Sequence, residues 1–107
     1  MPTKYRVRIS NNAEKDIEEI WTYISADSPE RAIRFIYDLE NQLETLESLP
    51  QRCPLIPENE FLGLDHRHLL LGNYRAIFRV RDYTVIILRV IHGARLLDAS
   101  LLESDPS

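Results

Sequence analysis

Between Tyr74 and Ile91 the chain reads YRAIFRVRDYTVIILRVI, and few folds accommodate two such stretches back to back. Side chains alternate along a strand, so Tyr74, Ala76, Phe78 and Val80 share one face of the first stretch and Arg75, Ile77, Arg79 and Arg81 the other. Val85 to Ile91 is β-branched at almost every position, which predicts a strand buried on both faces or nearly so, interrupted by Arg89. Upstream, His66 to Leu71 reads as a short strand and Gly72-Asn73 as a tight turn into Tyr74. Three strands with such short joins predict an antiparallel meander. His92 to Arg95, HGAR, then leaves the sheet carrying an imidazole, a glycine and a guanidinium close together.

The first half has a different period. Lys4 to Ile9 alternates, with Tyr5, Val7 and Ile9 on one face and Lys4, Arg6 and Arg8 on the other, which predicts a half-buried strand. Asn11 followed by Glu14 has the spacing of a capping box, so a helix is expected there. Ala13, Ile17, Ile20, Trp21 and Ile24 fall on one helical side, with Trp21 expected in the core or in packing within the hairpin, and Lys15, Asp16, Glu18 and Glu19 fall on the solvent side. Ser28-Pro29-Glu30 supplies a cap, a proline for the first turn and an acid beside the positive helix end, so a second helix starts there. Its stripe is Ala32, Phe35, Ile36, Leu39, Leu43 and Leu46, with Leu49 one turn on and Pro50 beyond. So short a join predicts an antiparallel helix hairpin laid on the sheet.

From Pro50 to about Leu64 the prolines predict a long loop without regular structure. The tail after Arg95 has apolar pairs at Leu96-Leu97 and Leu101-Leu102, suiting a short helix or an edge segment, and its last four residues are expected to fray. The order is thus β-α-α-β-β-β. It predicts one α+β domain over residues 1–107, with 96–107 as a tail and a helix hairpin on one face of an antiparallel sheet.

Charge then matters more than size. The 107 residues carry a net charge of −4, but unevenly: residues 11–49 hold ten acidic and three basic side chains, so the rest is basic. Arg6, Arg8, Arg75 and Arg79 alternate with core residues and should point away from the helices, and Arg89 joins them. Such a stripe suits phosphate, carboxylate or an acidic peptide, because a guanidinium offers a planar fork of donors. The plainer readings are solvated arginines and, for His92, a hydrogen-bonded strand-end histidine. Cys53 is the one cysteine, and His66 and His68 share a strand side without a third ligand, so neither a metal nor another cofactor is expected. No apolar run is long enough to span a bilayer and the N-terminus has no signal-like apolar segment, so the expected location is the cytoplasm, away from membranes.

Two amphipathic helices, a proline-containing loop, Tyr74-Arg75-Ala76-Ile77-Phe78-Arg79-Val80, and Val85 to Val90 ending in Ile91-His92-Gly93-Ala94-Arg95 together resemble the RelE/ParE family of bacterial type II toxins. The resemblance spans roughly Tyr5 to Leu102. It implies the same fold and a cognate antitoxin whose helix and extended tail wrap the toxin and neutralise it, and an acidic tail is expected to lie on the arginine face. One branch of the family, RelE-like, cleaves mRNA on the ribosome. The other, ParE-like, inhibits DNA gyrase. Arg75 and Arg95 match two RelE-like active-site arginines, and His66, Arg67 and His68 lie near the place of further basic residues. RNA cleavage would then fall to Arg75, Arg79 and Arg95 as cations and to His92 or His68 as proton carriers. No tyrosine follows Tyr83, however, and an acidic chain is poorly suited to docking on ribosomal RNA. HGAR is also nearer the ParE pattern. The expected function is therefore a ParE-like toxin binding gyrase through Arg6, Arg8, Arg75, Arg79, Arg89, His92 and Arg95. The alternatives are a RelE-like ribonuclease, with the ribosome and mRNA as partners, and a non-toxic binding protein on the same fold.

Overall fold

The structure, a computed structural model, describes residues 4–102, so the expected fraying of 104–107 lies outside it. Strand β1 (Arg6–Ile9) leads into helices α1 (Asn11–Asp27) and α2 (Pro29–Thr45). Strands β2 (Arg67–Leu71), β3 (Tyr74–Arg81) and β4 (Thr84–His92) follow, giving a four-stranded sheet in the order β1-β4-β3-β2. The meander is antiparallel as expected, but β1 pairs with β4 in parallel, so the sheet is mixed. Side-chain period gives a strand its faces and says nothing about its direction; the two helices return the chain so that β1 and β4 point the same way.

One face of the sheet carries the helices. Ala13, Ile20, Leu39 and Leu43 pack against Ala76, Phe78, Val85, Ile87 and Val90 in one apolar cluster. Val85, Ile87 and Val90 share this face because a bulge at Leu88 shifts the register, with Phe78 opposite Ile87 and Ile77 opposite Arg89. Trp21 and Leu49 lie outside the core, 43% and 70% exposed, at the margins of stripes that their neighbours already fill. The first helix is capped by Ser10 rather than Asn11: Ser10 Oγ accepts the Ala13 N–H at 3.1 Å and donates to the Leu88 carbonyl at 3.0 Å.

The opposite face is covered too, which the alternation of β3 does not reveal. The stretch from Pro50 holds a 3-10 turn (Pro50–Arg52), a bridge from Leu55 to Arg67 and one helical turn, α3 (Asn59–Leu62), where an irregular loop is expected. Asn59 fixes this segment by exchanging two hydrogen bonds with the backbone of His66, at 2.9 and 3.0 Å. The tail closes over the same face in a 3-10 turn (Ala99–Leu102), and Leu97 and Leu101 join Ile56, Ile77 and Ile91 in a second apolar cluster.

Candidate functional site

Of the seven residues expected on one bare arginine face, Arg6, Arg8, Arg75 and Arg79 point away from the helices, while Arg89 reaches Asp16 of α1. His92 lies on the helix side beside Tyr74, because alternation from Ile91 turns it there. The arginines further separate into a sealed group and an open group. Arg75 is sealed. It is 4% exposed, and its two terminal nitrogens donate to both oxygens of Glu58, one of them at 3.1 Å. The same guanidinium donates to the Arg95 carbonyl at 2.8 Å and to His68 Nδ1 at 3.2 Å. Arginine has no lone pair to accept with, so His68 must be the acceptor there and is neutral; burial, then Arg75, pushes its pKa below the usual imidazole value. Glu58 is fully buried, and the Arg75 hydrogen bonds hold its carboxyl at about 2 against the penalty of burial. Glu58 also accepts the Leu97 N–H at 2.8 Å. One carboxylate therefore ties α3's entry, the middle of the sheet and the tail together.

Arg89 is occupied as well. Its Nε and one terminal nitrogen donate to the two oxygens of Asp16, each at 2.7 Å, and the other terminal nitrogen donates to the Leu101 carbonyl at 2.8 Å. Asp16 lies buried rather than on the solvent side of α1, and it accepts the Val90 N–H at 2.9 Å. Past the end of β1 it thus supplies the acceptor that a further strand residue would have given to β4. Neither Glu58 nor Asp16 is a candidate from sequence pattern. The available signal was indirect: an arginine inside a buried strand requires a carboxylate, and residues 50–64 contain only Glu58 and Glu60.

The open group lies toward the β3–β4 hairpin. Arg6 pairs across with Thr84, and Thr84 with Arg81; Arg8 pairs with Ile86, and Ile86 with Arg79. The two rows place Arg6 and Arg8 two strands, roughly 10 Å, from Arg81 and Arg79. His66 continues the second row, one residue before Arg67, which faces Phe78. The joining turn is tight, with Asp82 and Tyr83 both at positive φ, 49° and 60°. Asp65 binds Arg81 in a two-pronged pair at 3.1 and 3.2 Å, and Arg81 in turn lowers the Asp65 pKa. Arg67 turns instead to the helix side and donates to the Gln51 and Cys53 carbonyls, at 3.0 and 2.6 Å.

His92 and Arg95 are exposed at the far end of the sheet, beyond Arg75. His92 Nδ1 accepts the Ala94 N–H at 3.1 Å, which leaves Nε2 as the donor, and the ring meets Tyr74 edge-on with centroids 5.6 Å apart. Gly93 N–H donates to the Asn73 carbonyl at 2.7 Å, and a Cβ at Gly93 would stand 3.2 Å from that oxygen, so the close approach is the reason for glycine in HGAR. Beside this turn a cleft of 860 Å³, lined by Ile24, Arg31, Tyr74 and His92, separates the helix hairpin from the strand ends. Among the described residues no group of three potential metal ligands converges, and no helix is long and apolar enough to cross a membrane.

Comparison with known proteins agrees with this architecture. The profile of the ParE toxin of the type II toxin-antitoxin system parDE matches residues 7–97. Among solved structures, the chain is similar to one from the chromosomal ParDE toxin-antitoxin system of P. aeruginosa, at 22% identity and a TM-score of 0.64, covering 84% of this chain and 97% of that one. It is also similar to one from the RelBE2 toxin-antitoxin complex of Mycobacterium tuberculosis, at 28% identity and a TM-score of 0.57, covering 87% and 95%. No curated protein matches the chain. With more than four-fifths of the sequence under one profile and the sheet order on the page, the chain belongs to the ParE toxin family of type II toxin-antitoxin systems.

Proposed function

We propose that this toxin acts by docking on a protein, DNA gyrase, in the cytoplasm, that residues 1–107 work as one domain, and that an antitoxin held on the arginine-bearing face keeps it inactive. The observation that carries this reading is the condition of Arg75. A ribonuclease on this fold would need that cation free to meet the scissile phosphate, yet it is buried and neutralised by an ionised carboxylate. Glu58 is no better placed as a base, because Arg75 and Leu97 N–H take both its oxygens and hold it at about 2, far from the pKa that suits proton transfer near neutral pH. What stays accessible is a set of cations without a reaction centre, Arg6, Arg8, Arg79 and Arg95, with the His92 imidazole at the sheet end. Arg75 and Arg89 then serve this surface by positioning the backbone beneath it.

The ParE profile match supports the ParE-like branch, to which gyrase belongs as target, and solved relatives that are themselves from toxin-antitoxin systems support an antitoxin partner. Expression of the chain without its partner gene is expected to stop growth and induce DNA damage while total mRNA stays intact, and the purified chain is expected to block gyrase supercoiling. Intact supercoiling together with ribosome-bound mRNA cleavage would transfer the assignment to the ribonuclease branch. Normal growth with supercoiling unaffected would leave a binding protein without toxicity.

A further inference from the structure

The arginines on β2, β3 and β4 form a series with one exception. Arg67 donates to two carbonyls, Arg75 to Glu58, Arg81 to Asp65 and Arg89 to Asp16. Arg79 has no hydrogen bond or ion pair among the described residues, although it is half-buried and its Nε is closed off from solvent. His66 lies next to it, 6% exposed, with Nδ1 also buried, without a hydrogen bond among the described residues and 3.8 Å from Asp65 Oδ1. Both line one cleft of 620 Å³ together with Asp65, Arg81 and the leucines Leu64, Leu88 and Leu102. Arg75 shares the buried Nε without a partner but pairs both terminal nitrogens, whereas Arg79 pairs none, and a half-desolvated guanidinium without an acceptor costs free energy. An acceptor supplied from outside would remove that cost.

We propose that this cleft is a carboxylate-binding site, which takes an aspartate or glutamate side chain from an acidic, leucine-flanked segment of a protein partner. The proposal rests on the reading that the chain works through protein contacts. Charge selects the ligand class. Asp65 cancels Arg81 and a neutral His66 adds nothing, so the cleft presents one net positive charge, matched by one carboxylate. Its walls are leucines, which suit the apolar neighbours of an acidic side chain. They include no phenyl, phenol or indole ring on which a base could stack, so a nucleic acid is the poorer fit.

The test is a nuclear magnetic resonance titration of the full chain, reading the Arg79 Nε–H and the His66 ring. The probes are the capped tripeptide Leu-Glu-Leu, its Leu-Gln-Leu counterpart and a short oligouridylate. The glutamate peptide is expected to move both signals saturably, with affinity about tenfold weaker for the glutamine peptide and for Arg79→Gln protein. Should Arg79→Gln fail to fold, Arg79→Lys keeps the charge, loses the planar fork and is expected to bind the glutamate peptide about threefold more weakly. Equal shifts from both peptides, tighter binding of the oligouridylate, or no shift up to about 20 mM peptide would each overturn the proposal. Gyrase supercoiling is assayed separately, so a chain that spares gyrase yet binds the glutamate peptide fails the functional reading and keeps this one.

Discussion

The two faces of the sheet are sealed by different physics. Beneath the helices the buried cluster is apolar, with Phe78, Val85 and Ile87 fully buried under Leu39 and Leu43. On the other face a smaller cluster of Ile56, Ile77, Ile91, Leu97 and Leu101 is gathered beside the deeply buried ion pair of Glu58 with Arg75, with the Arg89–Asp16 pair at its margin. Apolar burial has no direction, so the first face is held chiefly by packing, and a lost side chain there leaves a cavity rather than an unpaired charge. A buried pair stabilises only when both charges are present and aligned, and the loss of either leaves the other stranded. The helix face is therefore a core, while the outer face is a lid fastened by polar links, of which the Glu58–Arg75 pair is the most deeply buried.

Phe78→Ala should have the largest effect, about 4 kcal/mol in denaturant unfolding, because it opens a cavity where the helices and sheet meet. Glu58→Gln should cost slightly less, about 3 kcal/mol, and with a different distribution. Hydrogen exchange at the Leu97 N–H, which Glu58 accepts, should lose its protection while the Phe78 amide keeps most of its own. Acid should reproduce this without mutation. Because the Glu58 pKa falls from 4.5 to about 2 on folding, the unfolded carboxyl takes up a proton first. The pair's contribution is thus complete above pH 4.5 and drains away as pH falls toward 2. If Leu97 and Phe78 lose protection together in both experiments, the two faces form one cooperative unit and the distinction between core and lid fails.

How much of this was legible depends on which kind of contact is asked about. Tyr74, Ala76, Phe78 and Val80 on the helix side, and the hairpin of α1 and α2, follow from period alone, since alternation and helical spacing are local properties of the chain. The bulge at Leu88 is not local. It reflects Ser10 and Asp16 satisfying the backbone of β4 beyond the end of β1, with residues more than seventy positions apart. The outer face failed for the same reason: alternation correctly turns Arg75 away from the helices, but it cannot say that Glu58 and Leu97 will be folded over it. Arg6 and Arg8 are exposed because they alternate with Tyr5, Val7 and Ile9, which face the helices, and nothing in the outer layer covers them. That exposure is readable from alternation, whereas the partners of Arg75 and Arg89 and the helix-side place of His92 are not.

The smallest effects lie at the two serine caps, and they separate a helix cap from a link between layers. Ser28 caps α2 near the surface, accepting the Arg31 N–H at 3.3 Å, and Ser28→Ala should cost about 0.5 kcal/mol, the low end for a cap. Ser10 does the same for α1 at 3.1 Å but is 1% exposed, and its hydroxyl also donates to the Leu88 carbonyl at the bulge. Ser10→Ala leaves that carbonyl and the Ala13 N–H without side-chain partners inside the protein, so it should cost about 1.5 kcal/mol. The difference between the two substitutions, measured in the same denaturant series, isolates what the Ser10–Leu88 bond adds. A difference near zero would mean that the bulge keeps its shape without Ser10, and that Asp16 alone aligns Arg89 beneath the outer face.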